Sequence, residues 1–294
     1  MNARSFSSVT KILIIHKKIL RPEPCLSKNL DLEASKMTGV KGICLRMQGG
    51  FCNRLRAIIS GVLWAEDLGL SLNIYWPVEP GHMACSLEEI IVPSSIPCLG
   101  EVHATYLENA RQILCPQDMK VCDEIRIKSY SEFHPEVRGE RGLRILRGFR
   151  FVEDLEEEAQ AHWNLMGGET DWIGVHYRGT DHLKCMKASP LSSFFKTLDS
   201  LPSSQLFLAT DEFSVKGKFI SQYGKDRVAM TILDLGRVTK EQQKAGIIEW
   251  LLLQKCGMIL GSLGSSYSEM AALRSGCIYI AVTITPKESI EVID

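Results

Sequence analysis

The chain has 294 residues, 45% of them hydrophobic and 23% charged, with 34 Lys and Arg against 35 Asp and Glu for a formal net charge of −1. At roughly 150 residues per domain, that length fits about two domains or one large α/β domain, large enough to fold without disulfides or metals. The composition excludes collagen-like, low-complexity and disordered chains, and the missing basic field argues against a partner that is a long stretch of nucleic acid.

Residues 1–38 read as an extension outside the fold. The apolar run Ile12-Leu13-Ile14-Ile15 is followed at once by His16, Lys17 and Lys18. It is too short for a signal-peptide core and has no small-residue cleavage site. Met37 directly precedes the first convincing strand, so it is either the true start or the end of a tail. The longest apolar stretch, Gly246 to Leu260, is interrupted by Glu249, Gln254 and Lys255, the pattern of a buried helix and strand. No transmembrane segment is expected. The location follows as cytoplasmic, or as Golgi or ER lumen for a chain with an incomplete N-terminus.

The first strong element is a strand over Gly42 to Met47, stopped by Gln48-Gly49-Gly50. Apolar residues from Leu55 to Leu68 then recur at helical spacing, Gly69 is a stop, and Leu72 to Trp76 restarts a strand. This is the βαβ unit of a parallel sheet. Residues 77 to 150 are less regular, with Arg138, Arg141, Arg144, Arg147 and Arg150 at every third position. A solvated face accounts for that row better than an anion-binding patch.

Beyond residue 150 the alternation is clear. Strands are expected over Trp172–Tyr177, Gln205–Ala209, Val228–Leu233, Met258–Leu260 and Cys277–Val282. Helices are expected over Pro190–Leu198, 213–222, Lys240–Cys256 and Ser266–Arg274. Such a doubly wound sheet binds ligands at the carboxyl ends of its strands. The ten cysteines form no CxxC pair and no zinc-ligand spacing, so no metal site is expected. Cys44 and Cys277 read as small buried hydrophobes, and a Cys115–Cys122 disulfide stays open for a lumenal chain.

Four turns at strand ends carry the unusual residues. In Val175-His176-Tyr177-Arg178-Gly179-Thr180-Asp181-His182, Arg178 offers a planar fork to a phosphate and His176 a hydrogen bond to a base or sugar. A surface turn with an Arg–Asp pair is the plainer alternative. In Leu208-Ala209-Thr210-Asp211-Glu212, Asp211 suits a sugar or base, while Thr210 or Asp211 could equally cap the next helix. The Gly261-Ser262-Leu263-Gly264-Ser265-Ser266 turn opens a helix whose N-terminal amides attract anions. It matches neither the P-loop nor the dinucleotide fingerprint. Gly49-Gly50-Phe51-Cys52-Asn53-Arg54 can place backbone amides and Arg54 opposite that phosphate site.

Taken in order, GG(F)xN(R)L, GVHxR, FLATD and a Ser-Ser turn before the last helix resemble the alpha-1,2-, alpha-1,6- and protein O-fucosyltransferase superfamily, most closely its alpha-1,6, nodulation-type branch. The likeness covers roughly residues 42 to 283, with about 75 to 150 loosely matched. It implies an α/β fold of the GT-B type, two Rossmann-like domains facing a cleft: an acceptor-side domain over 39–150 and a donor-binding domain over 151–294. It implies an inverting, metal-independent transferase that needs no cofactor, takes GDP-fucose as donor and a glycan or protein as acceptor; the chain lacks a DxD motif. By the resemblance, Arg178 holds the β-phosphate of GDP and His176 contacts the nucleotide. Ser265 or Ser266 meets the phosphates, Glu249 reads guanine, and Asp211 lies near the nucleotide or acceptor. Donor binding thus draws on Gly50, Asn53, Arg54, His176, Arg178, Asp211, Glu249, Ser265 and Ser266. Two departures stand out: Gly179 replaces a second Arg, and the branch's carboxylate base has no match, since Met186 and Lys187 fall in that stretch. Either Asp181 or His182 then deprotonates the acceptor beside Arg178, or departure of GDP dominates with little assistance from a base. A nucleotide-sugar-binding protein without activity, or a transferase with another donor, is the alternative.

Overall fold

The computed structural model describes residues 41–103, 124–129, 131–169, 171–179, 183–201 and 204–284. The expected extension over 1–38, the Cys115–Cys122 pair and the candidate bases Asp181 and His182 lie outside them.

Two parallel sheets organise the chain. The first has four strands, β1 (Gly42–Met47), β2 (Ser71–Tyr75), β3 (Leu99–His103) and β4 (Glu124–Ser129), in the order β3-β2-β1-β4. The second has five, β5 (Ile173–Tyr177), β6 (Leu206–Thr210), β7 (Val228–Ala229), β8 (Met258–Ser262) and β9 (Ile278–Val282), in the order β7-β6-β5-β8-β9. All described pairings within both sheets are parallel. In each sheet the chain starts at a central strand, builds outward on one side, then crosses to the other. The strand order therefore reverses between β1 and β4 and between β5 and β8, and ligands of open α/β sheets bind at such points. Central strands covered on both faces read as unbroken apolar runs, and β5 and β6 are buried at every position.

Helix α1 (Phe51–Leu68) begins four residues before its apolar spacing does, and Gly69 ends it in a left-handed conformation at φ 63°. Helices α2 (Glu140–Gly148) and α3 (Glu153–Leu165) link the sheets. The second sheet is wound by α4 (Leu183–Ala188), α5 (Leu191–Asp199), α6 (Phe213–Tyr223), α7 (Lys240–Leu253) and α8 (Ser266–Ser275). The expected strand over Val228–Leu233 is only two residues long. The chain leaves the sheet after Ala229, and the Thr231 hydroxyl binds Glu249 on α7 instead.

One apolar core runs from the first sheet into the second. At its centre Phe51 at the start of α1 meets Trp250 of α7 at 5.2 Å and Phe151 of the connector at 6.0 Å, in edge-on contacts. Arg274 of α8 lies 4.8 Å over the Phe151 ring and donates to Phe149 O. The arginine row forms a network of ion pairs and hydrogen bonds. Arg138 binds Glu132 and Glu269, Arg141 binds Glu66 and Asp67, and Arg144 reaches Glu66. No described helix is long and apolar enough to cross a membrane.

Candidate active site

The carboxyl ends of β1, β5, β6 and β8 surround one cavity of about 760 Å³, within the range of pockets that hold small ligands. Of the residues expected to bind donor, Gly50, Asn53, His176, Arg178, Asp211, Glu249, Ser265 and Ser266 all line it, and Arg54 does not.

The wall from the first sheet is the turn after β1. Gly49 takes φ +75°, which disfavours any side chain. Gly50 is the extended N-cap of α1 and supplies no side-chain hydrogen bond to the helix. Arg54 is wholly buried. Its Nε donates to Gly49 O at 2.8 Å, Nη1 donates to Pro77 O at 2.8 Å, and the guanidinium lies 4.7 Å over Trp76. Burial lowers its pKa to about 10. Helix geometry keeps Arg54 out of the cavity: with α1 starting at Phe51, residues two apart lie about 200° apart around the axis. Arg54 thus turns into the core and Arg56 into the cavity. Asn53 Oδ1 accepts from Arg56 at 2.7 Å and from the Ser266 hydroxyl at 3.2 Å, joining the starts of α1 and α8. Arg54→Ala should destabilise the protein by about 2–4 kcal/mol, because it strands two backbone carbonyls. Urea unfolding measures this, and a loss below about 0.5 kcal/mol would remove Arg54 from the turn's support.

On the opposite wall His176 is buried, and its Nδ1 has no hydrogen-bond partner. Its ring lies 4.7 Å from that of Tyr267, tilted by 34°. Burial, followed by the nearby Arg178 charge, lowers its pKa to about 3, so the imidazole is neutral at pH 7. The Arg178 N–H donates to Ser262 Oγ at 3.0 Å, and Nη1 lies 3.6 Å from Asp211. Asp211 also accepts from the Gly179 N–H at 2.8 Å. It braces the arginine turn, while the capping of α6 falls to Glu212, which accepts from the Ser214 N–H. A Cβ at Gly179 would lie 2.4 Å from Glu212 Cβ. The close approach bars a side chain where the alpha-1,6 pattern has its second Arg.

Ser265 is the N-cap of α8, and no side chain caps that helix. The Ser265 amide is used within the turn, donating to Ser262 O. Two helix starts without side-chain caps, those of α1 and α8, therefore meet at the cavity, and each favours an anion. Also in the lining, Glu249 of α7 is 2% exposed and accepts from the Thr231 hydroxyl at 2.5 Å. Burial raises its pKa to about 7, against the Thr231 hydrogen bond and the Lys216 charge. Gln243, on the same helix, lines the cavity too and has a buried Oε1 without a partner, and the Tyr267 hydroxyl donates to Gly246 O.

Arg56, Tyr267, Gln243 and Arg237 also line the cavity, Thr231 holds Glu249 without lining it, and sequence reasoning assigned none of them a role. Only Tyr267 had a local signal, its place inside the Gly/Ser turn. Among the described residues no group of three or more His, Cys, Asp or Glu is arranged to hold a metal.

Two parallel sheets of this order, with a nucleotide-sized cleft at their switch points, define an α/β fold of the GT-B type. Among solved structures the chain is similar to NodZ alpha-1,6-fucosyltransferase co-crystallized with GDP, with TM-score 0.57 and 16% identity over 79% of this chain and 91% of that one. Fucosyltransferase NodZ from Bradyrhizobium matches with TM-score 0.57 and 15% identity over 79% and 92%. POFUT1 in complex with GDP matches with TM-score 0.54 and 9% identity over 83% and 99%. These likenesses establish the shared fold and agree with the family resemblance read in the sequence. No protein-family model and no curated protein matches the chain.

Proposed function

We propose that this chain is an inverting glycosyltransferase that moves fucose from GDP-fucose to a hydroxyl of a glycan or protein. The observation that carries the reading is one cavity lined by two chemically distinct sets of groups. Arg178 and the uncapped starts of α1 and α8 suit a diphosphate, and the buried acceptors Glu249 and Gln243 suit the N–H edge of guanine. NodZ has been crystallised with GDP and soaked with GDP-fucose, and POFUT1 has been crystallised with both, which supports the same donor here.

In the proposed reaction the acceptor oxygen attacks the anomeric carbon as the bond from that carbon to the β-phosphate oxygen breaks. The acceptor proton passes to Asp181 or His182. The electron pair leaves with GDP, and its charge is met by Arg178 and helix amides, without a metal. Neutral His176 positions the nucleotide as a hydrogen-bond partner, and Ser265 and Ser266 bring the α8 start to the phosphates. Residues 151–294 form the donor domain and 39–150 the acceptor domain.

Gly179, with no space for a second guanidinium, favours one other reading, a GDP-sugar-binding protein without transfer. Calorimetric titration with GDP, GDP-fucose, GDP-mannose and UDP-sugars, followed by an acceptor screen, tests both. Micromolar binding of GDP and GDP-fucose with fucose release to an acceptor is the expected result. Equal binding without release would favour the silent protein, and absent GDP binding would remove both.

A further inference from the structure

We propose that Arg56 of α1 is a second cation for the donor diphosphate, acting from the wall opposite Arg178; this rests on the GDP-sugar reading above. Three observations lead there. Arg178 is paired with Asp211 at 3.6 Å, so its charge is partly cancelled before a diphosphate arrives. Gly179 cannot carry a replacement, because any side chain would collide with Glu212. Arg56 lines the same cavity, and its Nε is buried without a hydrogen-bond partner.

The surroundings of Arg56 orient it toward an anion. Its Nη2 donates to Asn53 Oδ1 at 2.7 Å, and Asn53 also receives the hydroxyl of Ser266, the first residue of α8. The guanidinium is thus held where the two uncapped helix starts meet. Arg56 too has an acidic neighbour at ion-pair distance, Glu132 at 3.7 Å, but Glu132 is shared with Arg138, which binds it more closely at 2.5 Å. Arg56, Arg178 and Arg237 line the same cavity, with Arg56 on the α1 wall and Arg178 at the end of β5. A planar fork of this kind matches phosphate oxygens better than an ammonium does.

The test compares GDP, inorganic pyrophosphate and guanosine binding to the wild type, Arg56→Gln and Arg56→Lys, with unfolding midpoints as the control for folding. Arg56→Gln is expected to weaken GDP and pyrophosphate at least about tenfold and to leave guanosine within about twofold, with Arg56→Lys intermediate. GDP affinity within twofold of wild type in Arg56→Gln would overturn the proposal while leaving the GDP-sugar reading intact. An equal loss for guanosine would also overturn it, by showing a general disturbance. Should the wild type bind pyrophosphate but not prefer GDP, the guanine reading fails, and the pyrophosphate result alone decides Arg56. A wild type that binds neither overturns both.

Discussion

Arg178→Ala should lower the turnover of fucosyl transfer about 100- to 1,000-fold, the cost of removing one donor aimed at charge that develops in the transition state, on the order of 3 kcal/mol. The fold should survive. The Arg178 side chain is 18% exposed, and the main-chain bond that anchors the turn, from its N–H to Ser262, does not involve the side chain. Part of the loss will come from Asp211, whose carboxylate would then face the diphosphate without its partner. Restoring neutrality there gives a sharper test than the single variant. Asp211→Asn keeps an oxygen to accept from the Gly179 N–H and removes the charge, so the double variant should recover about five- to tenfold over Arg178→Ala. Single-turnover transfer from GDP-fucose reads both effects, since the two residues touch and their effects should not add. Near-normal turnover in Arg178→Ala, with its unfolding midpoint unchanged, would sink the assignment.

What the sequence made legible follows from how each segment is buried. In the second sheet β5, β6 and β8 were readable because they are central and almost wholly buried, and the residues beyond their carboxyl ends had to be the site, whereas the edge strand expected over Val228–Leu233 shrinks to Val228–Ala229. In the first sheet, Leu99–His103 and Glu124–Ser129 carry too few apolar residues to announce themselves, and both proved to be its outermost strands. The arginines at every third position are the polar face of α2 and its flanks. Their spacing marked a solvated surface correctly, yet three glycines within Gly139–Gly148 hid the helix. The exchange of roles between Arg54 and Arg56 was hidden by placing the helix start at Leu55, which left Arg54 in the turn; with α1 beginning at Phe51, Arg54 lies four residues before Ile58 on the buried face. Thr231 and Tyr267 lie on segments other than α7, and only tertiary packing brings them to the cavity wall that Glu249 and Gln243 supply from α7.

Glu249 should make GDP affinity depend on pH, and its removal should act in opposite directions on binding and stability. Burial, the largest influence on this carboxyl, raises its pKa from the ordinary 4.5 to about 7. The folded protein therefore holds the proton more tightly than the unfolded chain. Its contribution to stability is greatest below about pH 4.5 and declines as pH rises to about 7, by roughly 3 kcal/mol in all. Guanine needs the other form, because only the carboxylate accepts from both N1–H and N2–H. GDP affinity should thus fall about tenfold per pH unit below about 7 and level off above it, with one proton released on binding in the acid range. Titration in buffers of different ionisation enthalpy counts that proton, and an affinity constant from pH 5.5 to 8 would exclude the role. Glu249→Gln keeps an oxygen for the Thr231 hydroxyl but points an amide at the guanine edge. It should cost about 10- to 100-fold in GDP affinity at pH 8, from donors left unpaired, and abolish the preference over UDP. The same variant should unfold at higher temperature than the wild type at pH 8, because it no longer buries a charge. A residue serving only the fold would lose stability when replaced; one kept ionised for a ligand gains it.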